Sequence, residues 1–379
     1  MLKKILHIPN YYPPHIGGIE DVCRSVISAT KDEFHHKVIC FHDEKETQKD
    51  VFEGIEVLRC GVWRKLFSQS ISFSFQKELK KIIRDFGPDI IHFHTPNPLS
   101  SVYLLLSLPK KTKLILHWHS DIIEQELLYK FYSPIEKRLL KRADKILTTS
   151  PTYFAGSKSL APFENKIQTV ANTINTEKLD KKEGDDNEIK QLKELYDNKK
   201  IIFTFGRHVP YKGLEYLIQA APLISEEAVI VIAGRGPLTD QLKESAKLIP
   251  TIHFIGRVSD DELRQYLHAS DLFAFPSITR NEAFGVALAE AMYCGLPATT
   301  FTILNSGVNW VSPNNEIGIE SPNKDYKALA DAINKLLNDD SLRKKLGNAA
   351  QKRVMKCFVN EAIKDDLIAI YRVLIVDEV

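Results

Sequence analysis

Two glutamates, Glu282 and Glu290, stand eight residues apart in a stretch of small and apolar residues. The pattern of residues 284–293 predicts a helix that is apolar nearly all round, in which Glu290 is the only charged side chain. A buried carboxylate is costly unless it has a partner or lines a site. Eight helical residues rise about 12 Å, roughly the span from a sugar ring across a diphosphate to a ribose. The spacing favours a ligand site. In the alternative interpretation, Glu282 caps the helix and Glu290 pairs with a cation in the core.

Backbone and cationic groups nearby could hold an anion. The N–H groups of Phe284 and Gly285 fall between the two carboxylates at a helix start, where phosphate binds readily. The loop from Gly206 to Gly213 lies between a predicted strand and helix, and its Arg207 and Lys212 could converge on one diphosphate. The alternative is a turn with two solvated surface charges.

The first half of the chain carries a glycine pair and a histidine segment. Gly17 and Gly18 precede a predicted helix and would let backbone approach a ligand closely, although such pairs also occur in ordinary turns. The Gly-x-Gly-x-x-Gly fingerprint is absent after the first strand, which disfavours a dinucleotide dehydrogenase.

The segment from His117 to Asp121 ends another predicted strand. His119 and Asp121 could do acid–base or hydrogen-bonding work there, and His117 would share the face of His119 only if the strand continues. A structural histidine is the alternative. We expect no metal, because no third ligand has convincing spacing.

Between Lys130 and Lys145 the sequence holds six basic and two acidic residues, with Phe131, Ile135 and Leu139 at near-helical spacing. Such a basic amphipathic helix could rest on an anionic membrane surface. A solvated charged face is the alternative.

The elements that position these residues alternate between strand and helix. Apolar runs predict strands at residues 3–9, 37–42, 55–60, 89–94, 114–117 and 145–149, and then at 201–205, 228–233, 253–255 and 271–275. Helical patterns between them, together with the capping-box spacing of Ser259 and Glu262, predict an α/β chain with two doubly wound parallel sheets. Two such domains would place their ligand-binding loops on either side of one cleft.

Length and composition fit this organisation. A chain of 379 residues favours two domains, and no apolar run is long enough to span a bilayer. Residues 1–175 carry a net charge of +6 and the remainder −4, which suggests different partners for the two halves. Five cysteines without a C-x-x-C pair argue against disulfides and a structural zinc site. The apolar stretch after Lys4 is too short for a signal peptide, so we expect a cytoplasmic protein.

The chain resembles glycosyltransferase family 4, the group 1 retaining glycosyltransferases. The order and spacing match in Gly17-Gly18-Ile19-Glu20, His119-Ser120-Asp121, Gly206-Arg207 with Lys212-Gly213, Gly234-Arg235-Gly236-Pro237, and Glu282-Ala283-Phe284-Gly285 with Glu290. The resemblance implies a GT-B fold of two Rossmann-like domains. It assigns acceptor binding to residues 1–172, donor binding to residues 173–357, and a last helix at 358–379 that packs back on the first domain.

The resemblance also implies roles for individual residues. Arg207 and Lys212 would hold the diphosphate of a UDP- or GDP-sugar, with Gly17 and Gly18 approaching from the other domain. Glu290 would bind the ribose, Glu282 the sugar hydroxyls, and the Phe284 and Gly285 amides sugar or phosphate. His119 would sit beside the reacting centre, and the turn at Arg257 and Val258 would read the base.

The implied reaction is metal-independent transfer with retention, with no cofactor beyond the sugar nucleotide, to a glycan or lipid-linked acceptor at the inner face of a bacterial membrane. Polysaccharide, O-antigen or glycolipid synthesis is the expected setting. Residues 305–310 and 316–322 depart from the usual family pattern, which leaves the sugar open. A GT-B sugar-nucleotide epimerase and a non-catalytic sugar-nucleotide-binding subunit remain alternatives; the presence of both His119 and Glu282 argues against the second.

Overall fold

The computed structural model describes residues 2–15, 17–66, 69–122 and 126–376, with the side chains of residues 126–128 left out. The chain divides into two compact units. One consists of Met1–Thr173 together with Asn360–Val379, and the other of Ile174–Val359. Each is described in turn.

The first unit is built on an eight-stranded sheet in the order β10-β9-β8-β7-β1-β2-β4-β3, parallel except for the edge strand β3. A separate antiparallel pair is formed by β5 and β6. The elements in chain order are β1 (Lys3–Ile8), α1 (Gly18–Thr30), β2 (Phe34–Phe41), β3 (Gln48–Phe52), β4 (Ile55–Cys60), β5 (Arg64–Leu66), β6 (Gln69–Ile71), α2 (Phe75–Phe86), β7 (Ile90–Thr95), α3 (Pro98–Leu105), β8 (Lys113–Trp118), α4 (Glu126–Arg142), β9 (Lys145–Thr148), α5 (Pro151–Ala155) and β10 (Ile167–Thr169).

The second unit has a six-stranded, fully parallel sheet in the order β13-β12-β11-β14-β15-β16. Its elements are α6 (Asp185–Leu195), β11 (Lys200–Phe205), α7 (Leu214–Ala220), β12 (Ala228–Ala233), α8 (Thr239–Ala246), β13 (Ile252–Gly256), α9 (Asp260–Ala269), β14 (Leu272–Phe275), α10 (Val286–Tyr293), β15 (Ala298–Phe301), α11 (Val308–Val311), β16 (Ile319–Ser321), α12 (Tyr326–Asn338) and α13 (Asp340–Cys357). A last helix, α14 (Asn360–Val376), belongs to the first unit.

Buried apolar strands explain both sheets. All six residues of β7 and of β12 are buried, as expected for strands covered by helices on both faces. In the first unit α14 packs against α1, and Tyr371 of α14 reaches the sheet, where its hydroxyl lies 2.7 Å from His92 Nδ1. The predicted parallel α/β architecture is therefore confirmed.

Element boundaries differ from prediction where local geometry intervenes. The helix predicted from Phe284 begins at Val286, because Gly285 adopts a left-handed φ of 93° and serves as the N-cap. β2 begins at Phe34 rather than Lys37. The predicted capping box is present: Ser259 accepts from the Glu262 N–H, and the Glu262 carboxylate accepts from the Ser259 N–H.

Among the described residues, no helix combines the length and apolar character needed to cross a membrane.

A buried ion pair ties α6 to α9 in the second unit. The Arg264 guanidinium donates through Nε and Nη2 to both oxygens of Asp185, at 2.6 and 3.0 Å, and both side chains are almost fully buried. The hydrogen bonds from Arg264 hold the pKa of Asp185 well below its ordinary value. Asp185 is therefore a buried charge that depends on Arg264.

We predict that Arg264→Met destabilises the second unit by about 3–5 kcal/mol, because it leaves the Asp185 carboxylate buried without its partner. Removing the charge as well, in Asp185→Asn/Arg264→Met, should recover part of the loss. Urea unfolding followed by circular dichroism measures both. The control is Lys182→Met, which loses only the exposed pair with Asp261 and should cost at most about 1 kcal/mol. Equal stability of Arg264→Met and Lys182→Met would contradict the account.

Candidate functional site

The strand order of the second sheet reverses between its central strands β11 and β14. The chain proceeds from β11 through β12 to β13 on one side, and from β14 through β15 to β16 on the other. In open parallel sheets, ligands bind outside the carboxyl ends of the strands at such a reversal. The loops that leave β11 and β14 carry the predicted cations and the first predicted glutamate.

Lys212, in the loop after β11, forms an ion pair with Glu282, in the loop after β14. Lys212 Nζ also lies 4.9 Å from the centroid of the Phe275 ring. Burial alone would lower the pKa of Lys212, but the charge and hydrogen bond of Glu282, together with Tyr211, outweigh burial and raise the pKa above its ordinary value. The lysine is therefore a fixed cation at the strand reversal. Ser277 Oγ lies 3.4 Å from the same carboxylate oxygen.

Backbone packing at this edge requires glycine. Gly213 has φ 60°, and a Cβ there would lie 2.2 Å from the Pro276 carbonyl oxygen. Gly234, after β12, has φ 112°, and its Cβ would lie 1.9 Å from the Gly206 carbonyl oxygen. The loop after β11 therefore packs closely against the loop after β14 on one side and the loop after β12 on the other.

Arg207 is exposed at the same edge. Within the described part of the chain, its side chain makes no hydrogen bond or ion pair. Arg257 and Val258 follow β13, two strands away, where the Gly234 N–H donates to the Gly256 carbonyl at 2.6 Å. Arg257 is exposed and Val258 half-buried. The predicted diphosphate and base-reading residues thus share one sheet edge.

Phe284 and Gly285 are buried just before α10, and Gly285 is its N-cap. Glu282 does not cap this helix, since Gly285 is the N-cap and Glu282 pairs with Lys212. Because α10 starts only at Val286, the rise of an unbroken eight-residue helix does not describe the separation of Glu282 and Glu290. That part of the prediction was wrong.

Glu290 is buried on α10 and pairs with Lys178, whose Nζ lies 2.8 Å from Glu290 Oε1. A core cation for Glu290 was the alternative drawn from the sequence, and the partner is present. The ribose-binding role of Glu290 therefore stays a prediction.

Residues 305–310, which depart from the family pattern, contact the Glu282 loop through backbone. Ser306 Oγ donates to the Glu282 carbonyl, and the Gly307 N–H donates to the Ala283 carbonyl at 3.1 Å. Residues 305–310 therefore hold the backbone of the Glu282 loop in place.

In the first unit, Gly17, Gly18 and His119 lie at the carboxyl edge of the sheet, after β1 and β8. Gly17 is extended, and a Cβ on Gly18 would meet nothing within 4 Å. Internal packing therefore does not require glycine at position 18. α1 starts at Gly18, so its first N–H groups point away from the helix at this edge.

His119 is 6% exposed, and its Nε2 lies 3.0 Å from His94 Nδ1. The backbone N–H of His119 donates to the backbone carbonyl of Thr95 at 3.0 Å. The side chain of Asp121 has a structural role instead: its Oδ1 accepts from Trp118 Nε1 and from Ser157 Oγ, each at 2.8 Å. The acid–base role considered for Asp121 is therefore disfavoured.

His119 lies in a cluster of histidines that was not predicted from the sequence. His117 does share its face, with the rings stacked at 4.4 Å between centroids, and His92 and His94 occupy the same face of the adjacent strand β7. The alternation of histidine at 92 and 94 and at 117 and 119 was the available signal, because residues two apart on a strand share a face.

The basic stretch predicted between Lys130 and Lys145 lies largely in α4, but not all of its predicted apolar residues face the core. Leu139 and Leu140 are buried, whereas Phe131 is 77% exposed among the charges. Glu136 is buried, and its carboxylate accepts from the Tyr129 hydroxyl at 2.6 Å. The exposed side chains described on α4 are Lys130, Phe131, Pro134, Lys137, Arg138 and Lys141.

Two relatives match nearly the full chain. An O-antigen chain mannosyltransferase C from Escherichia coli is 28% identical over 98% of this chain and 99% of its own length. A D-rhamnosyltransferase, WbpZ, from Pseudomonas aeruginosa is 29% identical over 94% of this chain and 92% of its own.

Solved structures with the same fold also match throughout. Sucrose-phosphate synthase from Thermosynechococcus elongatus superimposes with a TM-score of 0.82 at 20% identity, covering 99% of this chain and 100% of that one. Anabaena Alr3699/HepE in complex with UDP and glucose gives 0.77 at 19% identity, covering 98% and 100%. These likenesses confirm the GT-B fold.

Family models account for both halves of the chain. The model described as "Glycosyltransferase Family 4" matches residues 16–178, and the model described as "Glycosyl transferases group 1" matches residues 185–353. Together they span both structural units and include every predicted site residue. The chain belongs to the group 1, family 4 glycosyltransferases and is a glycosyltransferase of GT-B fold.

Proposed function

We propose that this glycosyltransferase moves a sugar, with retention, from a nucleoside diphosphate sugar to a hydroxyl of a glycan or lipid-linked acceptor. The observation that carries the proposal is the convergence of Lys212, Glu282 and the α10 N-terminus at the strand reversal, beside the exposed Arg207. A fixed cation, an exposed guanidinium and the amides of a helix N-terminus together suit a diphosphate. The carboxylate beside it suits sugar hydroxyls.

Charge development during the reaction explains the arrangement. Cleavage of the sugar–phosphate bond leaves negative charge on the departing diphosphate and positive charge at the anomeric carbon. Arg207, Lys212 and the Phe284 and Gly285 amides would stabilise the leaving group. Glu282 is held by Lys212 as an anchored acceptor rather than a free nucleophile. We infer same-face attack in which a donor phosphate oxygen takes the proton of the acceptor hydroxyl, without a metal ion or other cofactor.

The remaining roles follow the same chemistry. Glu290 would accept hydrogen bonds from the ribose, and the turn at Arg257 and Val258 would contact the base. Gly18 lies at the sheet edge of the first unit and has the open space that close approach of a ligand requires. His119 would contact the sugar at the reacting centre.

The relatives support the setting. The Escherichia coli protein is named an O-antigen chain mannosyltransferase and the Pseudomonas protein a D-rhamnosyltransferase. We therefore propose assembly of a bacterial surface polysaccharide of the O-antigen type, with a GDP- or UDP-sugar as the donor.

We predict that Glu290→Gln weakens binding of the free nucleotide by roughly 10- to 100-fold, because it loses a hydrogen bond to a charged group, about 1.5–3 kcal/mol. Glu282→Gln should bind the free nucleotide as wild type does and lose transfer, because its contacts are to the sugar. Isothermal titration with the nucleotide, beside a turnover assay with the sugar nucleotide, separates the two.

The matched control is Glu244→Gln, which replaces an exposed glutamate on α8 and should change neither readout. Equal loss of free-nucleotide affinity in Glu282→Gln and Glu290→Gln would contradict the division of roles. A covalent sugar adduct trapped on Glu282 would contradict same-face attack.

We also propose that α4 rests on an anionic membrane surface. Its exposed side presents Lys130, Lys137, Arg138 and Lys141 around the exposed ring of Phe131, while the carboxylate of Glu136 is buried away from them. Cations beside an exposed aromatic side chain are the features of interfacial binding. This surface would bring the enzyme to a lipid-linked acceptor.

We predict that the protein sediments with vesicles containing phosphatidylserine and not with neutral phosphatidylcholine vesicles. Lys137→Glu/Arg138→Glu should weaken the binding by at least about 30-fold, at about 1 kcal/mol per basic residue. The control is Lys190→Glu/Lys193→Glu on α6, which reverses the same number of charges on the other unit. Unchanged binding by the α4 variant, or equal binding to neutral vesicles, would show that α4 is only a solvated face.

A further inference from the structure

Six imidazoles are gathered in the first unit: His7 on β1, His36 on β2, His92 and His94 on β7, and His117 and His119 at the end of β8. Each is at most 6% exposed. Three pairs of ring nitrogens lie at hydrogen-bond distance: His7 Nε2 and His36 Nδ1 at 3.0 Å, His92 Nε2 and His117 Nδ1 at 3.2 Å, and His94 Nδ1 and His119 Nε2 at 3.0 Å.

Three ring nitrogens in this cluster are buried without any hydrogen-bond partner among the described residues: His7 Nδ1, His94 Nε2 and His117 Nε2. Buried polar atoms are nearly always paired, so three in one cluster call for an explanation. A neutral imidazole carries one N–H and one lone pair.

A chain of hydrogen bonds determines the proton positions on His36 and His7. The Thr30 hydroxyl donates to the Val26 carbonyl at 2.7 Å, so its oxygen accepts from His36 Nε2–H at 3.2 Å. His36 Nδ1 is then a lone pair, which accepts from His7 Nε2–H. The remaining nitrogen, His7 Nδ1, must carry an unpaired lone pair.

His94 has the matching arrangement. In one tautomer, His94 Nδ1–H donates to His119 Nε2, and His94 Nε2, which has no partner, carries a lone pair. In the other tautomer, His94 Nε2 would be a buried N–H without a partner, which is rarer in proteins. Cys23 of α1 is also fully buried beside these rings. One ligand atom each from His7, Cys23 and His94 lies within 4.8 Å of the other two.

The geometry points to a zinc site formed by three protein ligands, His7, Cys23 and His94, in the core of the first unit. Imidazole nitrogen and cysteine thiolate are both zinc ligands, at distances of about 2.0–2.1 Å and 2.3 Å. The ligands come from β1, α1 and β7, so the ion would link the helix to the sheet.

The surroundings fit a bound zinc. Metal-bound histidines donate their other ring N–H to a neighbour, and His7 and His94 are placed to donate to His36 and His119. Cys23 Sγ would bind as the thiolate, since a bound cation deprotonates a coordinating thiol.

A second candidate triad is His92, His94 and His117. Both ring nitrogens of His92 already have partners, Tyr371 and His117. Binding there would break one of these hydrogen bonds, whereas His7 and His94 offer nitrogens that are free. The triad with Cys23 is therefore favoured.

The site is tested on untagged full-length protein produced in minimal medium with zinc or with cobalt, and then treated with a chelator. We expect one zinc per chain by elemental analysis, and in the cobalt form a thiolate-to-cobalt charge-transfer band in the near ultraviolet. Cys23→Ala should lose both the metal and the band. Cys40→Ala is the matched control, since Cys40 is equally buried in the same core cluster and should keep both.

Several outcomes would overturn the assignment. Wild-type protein that holds neither metal would show that the cluster is a hydrogen-bonded core only, whether or not the variants fold. A bound metal without the charge-transfer band, or with a full complement retained in Cys23→Ala, would remove Cys23 from the site and favour the three histidines.

Discussion

The ion pair between Lys212 and Glu282 is the contact on which the second unit's site depends. It joins the loops after β11 and β14 at the reversal of strand order, where the Ile278 backbone N–H also donates to the Tyr211 carbonyl at 2.9 Å. Gly213 permits the close approach of the Pro276 carbonyl that brings the loops into register. The same pair places a fixed positive charge and an anchored carboxylate side by side, as a bond between a sugar and a diphosphate would require.

The two units use the carboxyl edges of their parallel sheets for different chemistry. In the second unit the edge presents cations and helix amides. In the first unit the sheet edge presents the glycine pair and His119. The ring of His119 contacts the buried imidazole of His94 rather than a carboxylate. The side chain of Asp121 instead fastens the loop after β8. A histidine held by another neutral histidine keeps its orientation without gaining a charge.

The sequence predicted what local patterns encode. Apolar runs located most strands, the spacing of Ser259 and Glu262 located a helix start, and motif order led to the family and its fold. It could not predict contacts between residues distant in the chain. Lys178 as the partner of Glu290, and Cys23 beside His7 and His94, depend on which elements pack together. The exposed ring of Phe131 shows the same limit, since helical spacing alone does not say which side of α4 faces the core.

The central claim is that the edge around Arg207 binds a nucleoside diphosphate, and a thermal-shift panel of UDP, GDP, ADP, CMP and dTDP tests it most directly. A nucleotide at 100 times its dissociation constant adds about 2.7 kcal/mol, and large domains shift by roughly 2–4 °C per kcal/mol. The account predicts a clear rise in Tm with one nucleoside diphosphate, lost in Arg207→Ala and kept in Arg84→Ala. No shift with any nucleotide, or the same shift in Arg207→Ala, would contradict it.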